Sequence, residues 1–314
     1  MSACLLCGSE NAAALFPATD RLHRTTPRSF TILRCGQCGL MCLDPMPAPT
    51  ESRQYHPENY WFAPDATAAG RLEESYRRLV LRDHARFVER ALGDPSACGP
   101  VLDVGCGGGL LLGMMRERGF RVMGLDNSPA AAAIAWSRQR VPAVCGVLEH
   151  APLRDGTFAA ITMFHVLEHV PDPRAYVTAA HRLLAPGGRL IAQTPNAACW
   201  QFHLLGRAWS GLDVPRHLFD FRASDLERLL KSCGFTVLRR KYFSWRDNPA
   251  SLATSLAPGL DPMGRRTRRV AESAPSRIAK DLAYLALVAA SVPFALLEAA
   301  FGAGATIMIE ARKR

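Results

Sequence analysis

The sequence has no leader of secretory type: Met1 is not followed by basic, apolar and small-residue cleavage regions in turn, so a reducing, cytoplasmic setting is expected. It also lacks an uncharged apolar run of the roughly 20 residues that a bilayer span needs. The longest, Leu282 to Leu297, contains Pro293 and stops at Glu298, which leaves at most a peripheral contact with the inner face of a membrane. No internal repeat is present, which excludes a solenoid. Charge is sparse, at 21% of 314 residues against 48% hydrophobic, so the chain can bury one large core with a small appendage and is not disordered by composition. The N-terminal residues 1–50 mix acidic and apolar residues and show no basic stripe with interleaved aromatics, which speaks against a nucleic-acid grip there. The net charge of +10 nevertheless favours anionic partners: nucleic acid, a phosphorylated small molecule or an anionic membrane face.

Four of the ten cysteines fall in two pairs, Cys4-x-x-Cys7 and Cys35-x-x-Cys38. Each turn presents two thiolates to one metal, and two turns complete the tetrahedron that Zn²⁺ prefers. Four thiolates leave no open coordination position, so a structural Zn²⁺ is expected and metal catalysis is not. Cys42, Cys98, Cys106, Cys145, Cys199 and Cys233 are scattered and read as lone thiols.

Residues 1–50, rich in Cys, Pro and Gly, read as a zinc-ribbon-like module that burial alone cannot hold together. Residues 51–98 read as a helical linker and lead-in helix, with Leu72, Tyr76, Leu79, Val80, Phe87, Val88 and Ala91 at helical spacing from Arg71 to Leu92. From residue 99 to 314, short apolar runs alternate with helical stretches, the mark of an α/β chain with a parallel sheet. Ser128-Pro129 and Asp172-Pro173 read as helix starts, and Ser224 with Glu227 as a capping box. Residues 244–303 form a helical insertion before the last strand, with Arg265, Arg266, Arg268 and Arg269 ahead of an apolar helix. That insertion is read either as an ordinary buried helix or as a surface on an anionic membrane or over a lipid-linked substrate.

The run Val101-Leu102-Asp103-Val104-Gly105-Cys106-Gly107-Gly108-Gly109 puts a glycine-rich turn after a buried strand and before a helix, where backbone can approach a ligand closely. Leu110 stands where a dinucleotide site needs its third glycine, which disfavours NAD.

These residues resemble the first motif of class I S-adenosylmethionine (SAM)-dependent methyltransferases, and the resemblance continues through about residue 243. It implies a Rossmann-like seven-stranded sheet and a cofactor site that includes Asp103, Gly105, Cys106 and Gly107. Asp126 and Asn127 end the second strand, where the family binds the ribose hydroxyls, and Leu148 and Glu149 correspond to its adenine segment. His165 to Pro173 resembles the fourth-strand end of ubiquinone-pathway and sugar methyltransferases. Pro45, Pro47, Tyr55, Tyr60 and Trp61 are similar to the segment after the zinc-binding domain of sugar C-methyltransferases.

Methyl transfer is an in-line displacement that needs a placed nucleophile and, for a hydroxyl or carbon acid, a base. His165, His217 and His169 are the candidates, each also readable as a packed or capping histidine. Arg216 is read as a contact for an anionic group or as an exposed side chain, and Asn196 as cleft lining or a turn cap. The expected acceptor is a sugar, glycan precursor or lipid-linked molecule, methylated at oxygen or carbon. An RNA methyltransferase and a non-catalytic SAM-binding scaffold are the other readings. Oligomeric state is not legible.

Overall fold

The computed structural model describes residues 3–48, 50–55 and 68–314; Tyr60 and Trp61 lie outside the described residues. Strands β1 (Ala12–Thr19), β2 (Ser29–Cys35) and β3 (Met41–Asp44) form an antiparallel meander. Helices α1 (Ser52–Tyr55), α2 (Ala68–Val80) and α3 (Arg82–Leu92) lead into the larger unit. There, β4 (Val101–Val104), α4 (Leu110–Glu117), β5 (Val122–Asp126), α5 (Pro129–Gln139) and β6 (Ala143–Cys145) form one half. The other half runs through β7 (Phe158–Phe164), α6 (Pro173–Leu183), β8 (Leu184–Pro195) and α7 (Trp200–Leu205). It continues with β9 (Phe219–Asp220), α8 (Ala223–Ser232) and β10 (Phe235–Lys241), then α9 (Asn248–Leu256), α10 (Pro262–Thr267), α11 (Ala274–Ala300) and β11 (Thr306–Lys313).

The main sheet has the order β10-β11-β8-β7-β4-β5-β6, with β11 antiparallel to both its neighbours and the β8-to-β6 strands parallel. This is the Rossmann-like seven-stranded sheet that the resemblance implied. Its central strands are buried on both faces, which is why they read as continuous apolar runs. Leu102, Ile161, Leu190 and Ile309 enter one core together with Val177, Leu229 and the β2 residues Phe30 and Ile32. Val101, Ala160, Ile191 and Met308 face the other, against Phe87 and Val88 of α3 and Met114 and Met115 of α4. Each fully enclosed aliphatic side chain contributes about 1.5–3 kcal/mol relative to exposure.

The cysteine-bearing meander is continuous with the larger unit. Met41 and Cys42 of β3 pair with Asp220 and Phe219 of β9, so the small sheet has the order β1-β2-β3-β9 and takes its last strand from beyond residue 200.

The helix starts at Ser128 and Asp172 are as read: their side chains accept the N–H of Ala131 at 3.3 Å and of Ala175 at 3.0 Å. Three details differ. The lead-in helix is two, kinked at Leu81, where the Leu81 N–H still reaches the Arg77 carbonyl. The start of α8 lies earlier than Ser224: Arg222 is the cap residue, and its N–H is taken by Asp225 at 3.0 Å. The guanidinium of Arg222 also grips Asp225 and the Cys38 carbonyl, which fixes the helix entry against the cysteine module.

The third difference is α11. With 27 residues it is long and apolar enough by composition to cross a membrane, more than the Leu282 to Leu297 run suggested. The fold keeps both its ends on one side. Arg265 of α10 pairs with Asp281, the Tyr284 and Thr254 hydroxyls meet at 2.8 Å, and Gln201 of α7 donates to Glu298 at 2.7 Å. The next strand, β11, then sits inside the same sheet. α11 therefore lies along the domain surface.

Candidate active site

The order of the parallel strands reverses at β4, and the crevice beyond their carboxyl ends is where open α/β sheets bind ligands. Four segments converge there: Gly105–Gly109 after β4, Asp126 after β5, His165 after β7 and Asn196 after β8. Gly105 and Gly109 have φ of 72° and 74°, and a Cβ on them would meet Val166 at 2.8 Å and Ala135 at 2.9 Å. Both conformation and space therefore require glycine. Asp126 lies across this turn, accepting the Gly107 N–H on Oδ2 and the Ser128 N–H on Oδ1, each at 2.9 Å.

Asp103 is buried on β4 and accepts a 2.5 Å hydrogen bond from Thr162 of β7. Burial, aided by Asp126 and resisted by the Thr162 bond, lifts its pKa to about 7. Burial likewise raises Asp126, opposed by the two backbone N–H groups. Leu148 is enclosed in the core, and one carboxylate oxygen of the neighbouring Glu149 is buried with no hydrogen-bond partner among the described residues. The thiol of Cys106 turns away from the crevice into a small apolar cluster with Leu112, Ala135 and Val141, so only its backbone lines the turn. Asn127 is exposed just beyond Asp126.

His165 occupies a left-handed conformation, φ 57°, directly after β7. Its Nδ1 lies 3.0 Å from Glu168, and its Nε2 lies 3.5 Å from Asp247 and 2.8 Å from the Gln193 amide. Burial pulls the pKa down, but Asp247 and Glu168 more than offset this and lift it to about 9. An imidazolium between two carboxylates is a poor base near neutral pH. His165 thus ties the β7 end to the insertion, through Glu168 on one side and through Gln193, which also donates to Asp247, on the other. Asp247, its partner, was not singled out in the sequence, because an aspartate in a loop far along the chain carries no local signal.

His169 and His217 are differently placed. Their rings meet edge to face at 4.6 Å, His169 Nδ1 lies 3.1 Å from the Arg216 carbonyl and His217 Nδ1 lies 2.7 Å from the Gly211 carbonyl. Each Nδ1 must therefore donate, which puts the lone pair of the neutral ring on Nε2. One ligand atom each from Glu168, His169 and His217 lies within 4.8 Å of the others, a set that could hold a metal ion. Asp220, on β9, is buried near Glu168, and both factors, burial first, hold its carboxyl well above the usual range.

One expectation is corrected and one open alternative is decided. Arg216 is not exposed and does not await an anionic substrate group: it is buried, donating to Asp20 at 2.7 Å and to Asp213 at 2.9 Å. A guanidinium without surface must be paired, and these carboxylates pair it. Asn196 is a turn cap: its side chain accepts the Ala198 N–H at 3.1 Å and donates to the Gly304 carbonyl at 2.9 Å.

In the N-terminal module, Cys4 and Cys38 lie 3.5 Å apart through their sulfurs, Cys7 and Cys35 3.6 Å, and all four sulfurs fall within 4.8 Å of one another. Sulfurs about 2.3 Å from a tetrahedral ion are about 3.8 Å apart, so the cluster could hold a metal ion.

Residues 74–240 match the family model of a methyltransferase domain. The ubiquinone biosynthesis O-methyltransferase of Pseudomonas fluorescens (strain Pf-5) is 33% identical over 176 residues, 51% of this chain and 74% of that protein. The enzyme of the same name from Pseudomonas paraeruginosa is 37% identical over 130 residues, 39% of this chain and 56% of that protein. Among solved structures, geranyl diphosphate C-methyltransferase from Streptomyces coelicolor A3(2) superposes with a TM-score of 0.51 at 17% identity, covering 74% of this chain and 76% of that one. A SAM-dependent methyltransferase from Archaeoglobus fulgidus gives 0.50 at 15%, covering 79% and 100%. At such identities these two show the fold alone. The chain belongs to the class I SAM-dependent methyltransferases. Its seven-stranded sheet is that of the class.

Proposed function

We propose that the chain transfers a methyl group from SAM to the oxygen of a small hydroxylated molecule carried on a lipid. In this reading Asp126 takes the ribose hydroxyls and the Gly105–Gly109 turn admits the methionine end beside Asp103. Glu149, whose buried carboxylate oxygen has no partner among the described residues, faces the adenine. The one observation that carries the acceptor chemistry is the His169–His217 pair, each Nδ1 anchored on a carbonyl. Nε2 of His217 would take the hydroxyl proton as the acceptor oxygen bonds to the SAM methyl carbon, the carbon–sulfur bond breaking so that S-adenosylhomocysteine leaves. Oxygen as the acceptor atom is supported by the O-methyltransferase relatives. Four thiolates of Cys4, Cys7, Cys35 and Cys38 hold one structural Zn²⁺, which fits their spacing.

The test is methyl transfer from labelled SAM to a lipid extract, with the labelled product identified. His217→Ala and His169→Ala are each expected to lower kcat about 10²–10⁴-fold while SAM binding is kept. Unchanged turnover in both variants, or label confined to water-soluble sugars, defeats the acceptor reading.

A further inference from the structure

α11 carries an apolar face that the rest of the fold leaves uncovered. Ile278, Leu282, Leu285, Leu296 and Leu297 are exposed, Leu282 at 61%, and Phe301 just past the helix end is 71% exposed. Positions 278, 282, 285, 289, 293, 296 and 300 recur every three or four residues, and all are apolar, so this is one continuous stripe. At about 1.5 Å per residue it runs roughly 33 Å. A soluble helix normally puts charge on that side.

What borders the stripe says what covers it. Beside its first turns opens a hollow of about 710 Å³ lined by Arg24, Arg268, Arg269 and Lys280. Arg277, exposed, continues the same basic edge. The nearby acids, Glu272 and Asp281, are already bound by Lys280 and Arg265. At the far end, Trp200 packs on Phe301 at 5.4 Å and on Phe294 at 6.2 Å, an aromatic group of the kind that settles at a membrane interface. A second copy of the chain would bring an equal charge of +10 to this basic edge. An anionic lipid surface neutralises it.

We infer that α11 is a membrane-docking helix: it lies in the headgroup region of an anionic bilayer through its Ile278–Phe301 stripe, with the exposed Arg24, Arg269 and Arg277 on lipid phosphates. The two ends are anchored to the same domain, so docking is in the plane. Docking in this plane would also bring a lipid-borne acceptor to the domain. That last step, delivery of a lipid-borne acceptor, rests on the proposed function. Lipid binding itself does not.

Flotation of the full chain with vesicles decides it, using pure phosphatidylcholine against phosphatidylcholine mixed with phosphatidylglycerol. Wild type is expected to float with the anionic vesicles alone and to be released by salt. Leu282→Glu with Leu285→Glu, and separately Arg269→Glu with Arg277→Glu, should each weaken binding at least about tenfold. Both pairs are exposed, and unchanged affinity for S-adenosylhomocysteine by calorimetry verifies that each variant is folded. Equal partitioning of wild type and variants overturns the inference. So does a lipid-free dimer that the leucine pair dissolves, which would make the stripe a self-interface. Vesicle binding without turnover of any lipid acceptor would sink the acceptor reading and leave the docking surface standing.

Discussion

Arg216 and Asp20 meet at 2.7 Å, and neither side chain has any exposed surface. Asp20 follows β1 in the cysteine module, and Arg216 precedes His217, so one buried ion pair joins the module to the loop that positions a candidate base. Burial would raise the Asp20 pKa, but Arg216 and Thr25 reverse this and leave it below the ordinary value. Removing one partner strands the other charge without water. Arg216→Met is therefore expected to cost about 3–5 kcal/mol of unfolding free energy, read by denaturant titration. A loss within experimental error would mean the pair contributes no more than a surface contact.

Asp126→Ala tests the cofactor crevice. Two hydroxyl hydrogen bonds to a charged acceptor are worth about 3 kcal/mol or more, so affinity for S-adenosylhomocysteine should fall on the order of a hundredfold by calorimetry. The fold should survive, because the Gly107 and Ser128 N–H groups sit at an open crevice where water can replace the carboxylate. Undiminished binding would place the cofactor elsewhere.

Metal analysis of purified protein should return one zinc per chain. Cys4→Ser with Cys7→Ser should abolish it and lower the melting temperature, since the ion would tie the Cys4–Cys7 turn, which precedes β1, to the Cys35 end of β2. Retained stability with no zinc in the wild type would reduce the four thiols to ordinary neighbours.

The crevice was legible because it is built from local signals: a strand buried on both faces, glycines that no other residue can replace, and an acid ending the next strand. Cap residues Ser128 and Asp172 were legible for the same reason, since each bonds within three residues of itself. The pairings that were missed join residues far apart in the chain. Arg216 finds Asp20 across 196 positions, and Gln193, which touches His165, finds Asp247 across 54. Nothing around Arg216 or Asp247 announces a partner. β9 is two residues long, too short for any periodicity, yet it supplies the small sheet's last strand from beyond residue 200. The α8 start was misplaced because a Ser-x-x-Glu pattern is common, and the Arg222 fork on Asp225 prevailed.

His165 gives a pH prediction. Its folded pKa, about 9, exceeds the ordinary 6.5, so the imidazolium's contribution is fully present below about pH 6.5 and is lost as pH rises through 9. The shift corresponds to at most about 3 kcal/mol. His165→Gln should flatten that part of the stability profile, measured by urea unfolding between pH 6 and pH 10. A wild-type profile already flat across this window would show that the two carboxylates do not hold a proton on the ring.

Glu298 runs the other way. It is buried at the end of α11, accepting from Gln201 at 2.7 Å and from the Ala305 N–H at 3.1 Å through one oxygen, while its second oxygen has no partner among the described residues. Burial dominates these bonds and lifts its pKa to about 7. The folded state thus keeps a proton that the unfolded chain, near its ordinary 4.5, has already released. Stability falls as pH rises from about 4.5 and levels off above about 7, where the folded protein must hold a buried carboxylate. Glu298→Gln keeps the accepting oxygen and replaces the unpaired one with a neutral amide. It should leave stability near pH 5 almost unchanged and raise it by roughly 1–3 kcal/mol at pH 8. Because Glu298 also closes the α11-to-β11 corner, the same variant should slow hydrogen exchange at Ala305 at pH 8. A destabilised variant at both pH values would instead mean that the carboxylate is ionised and held by groups beyond Gln201 and Ala305.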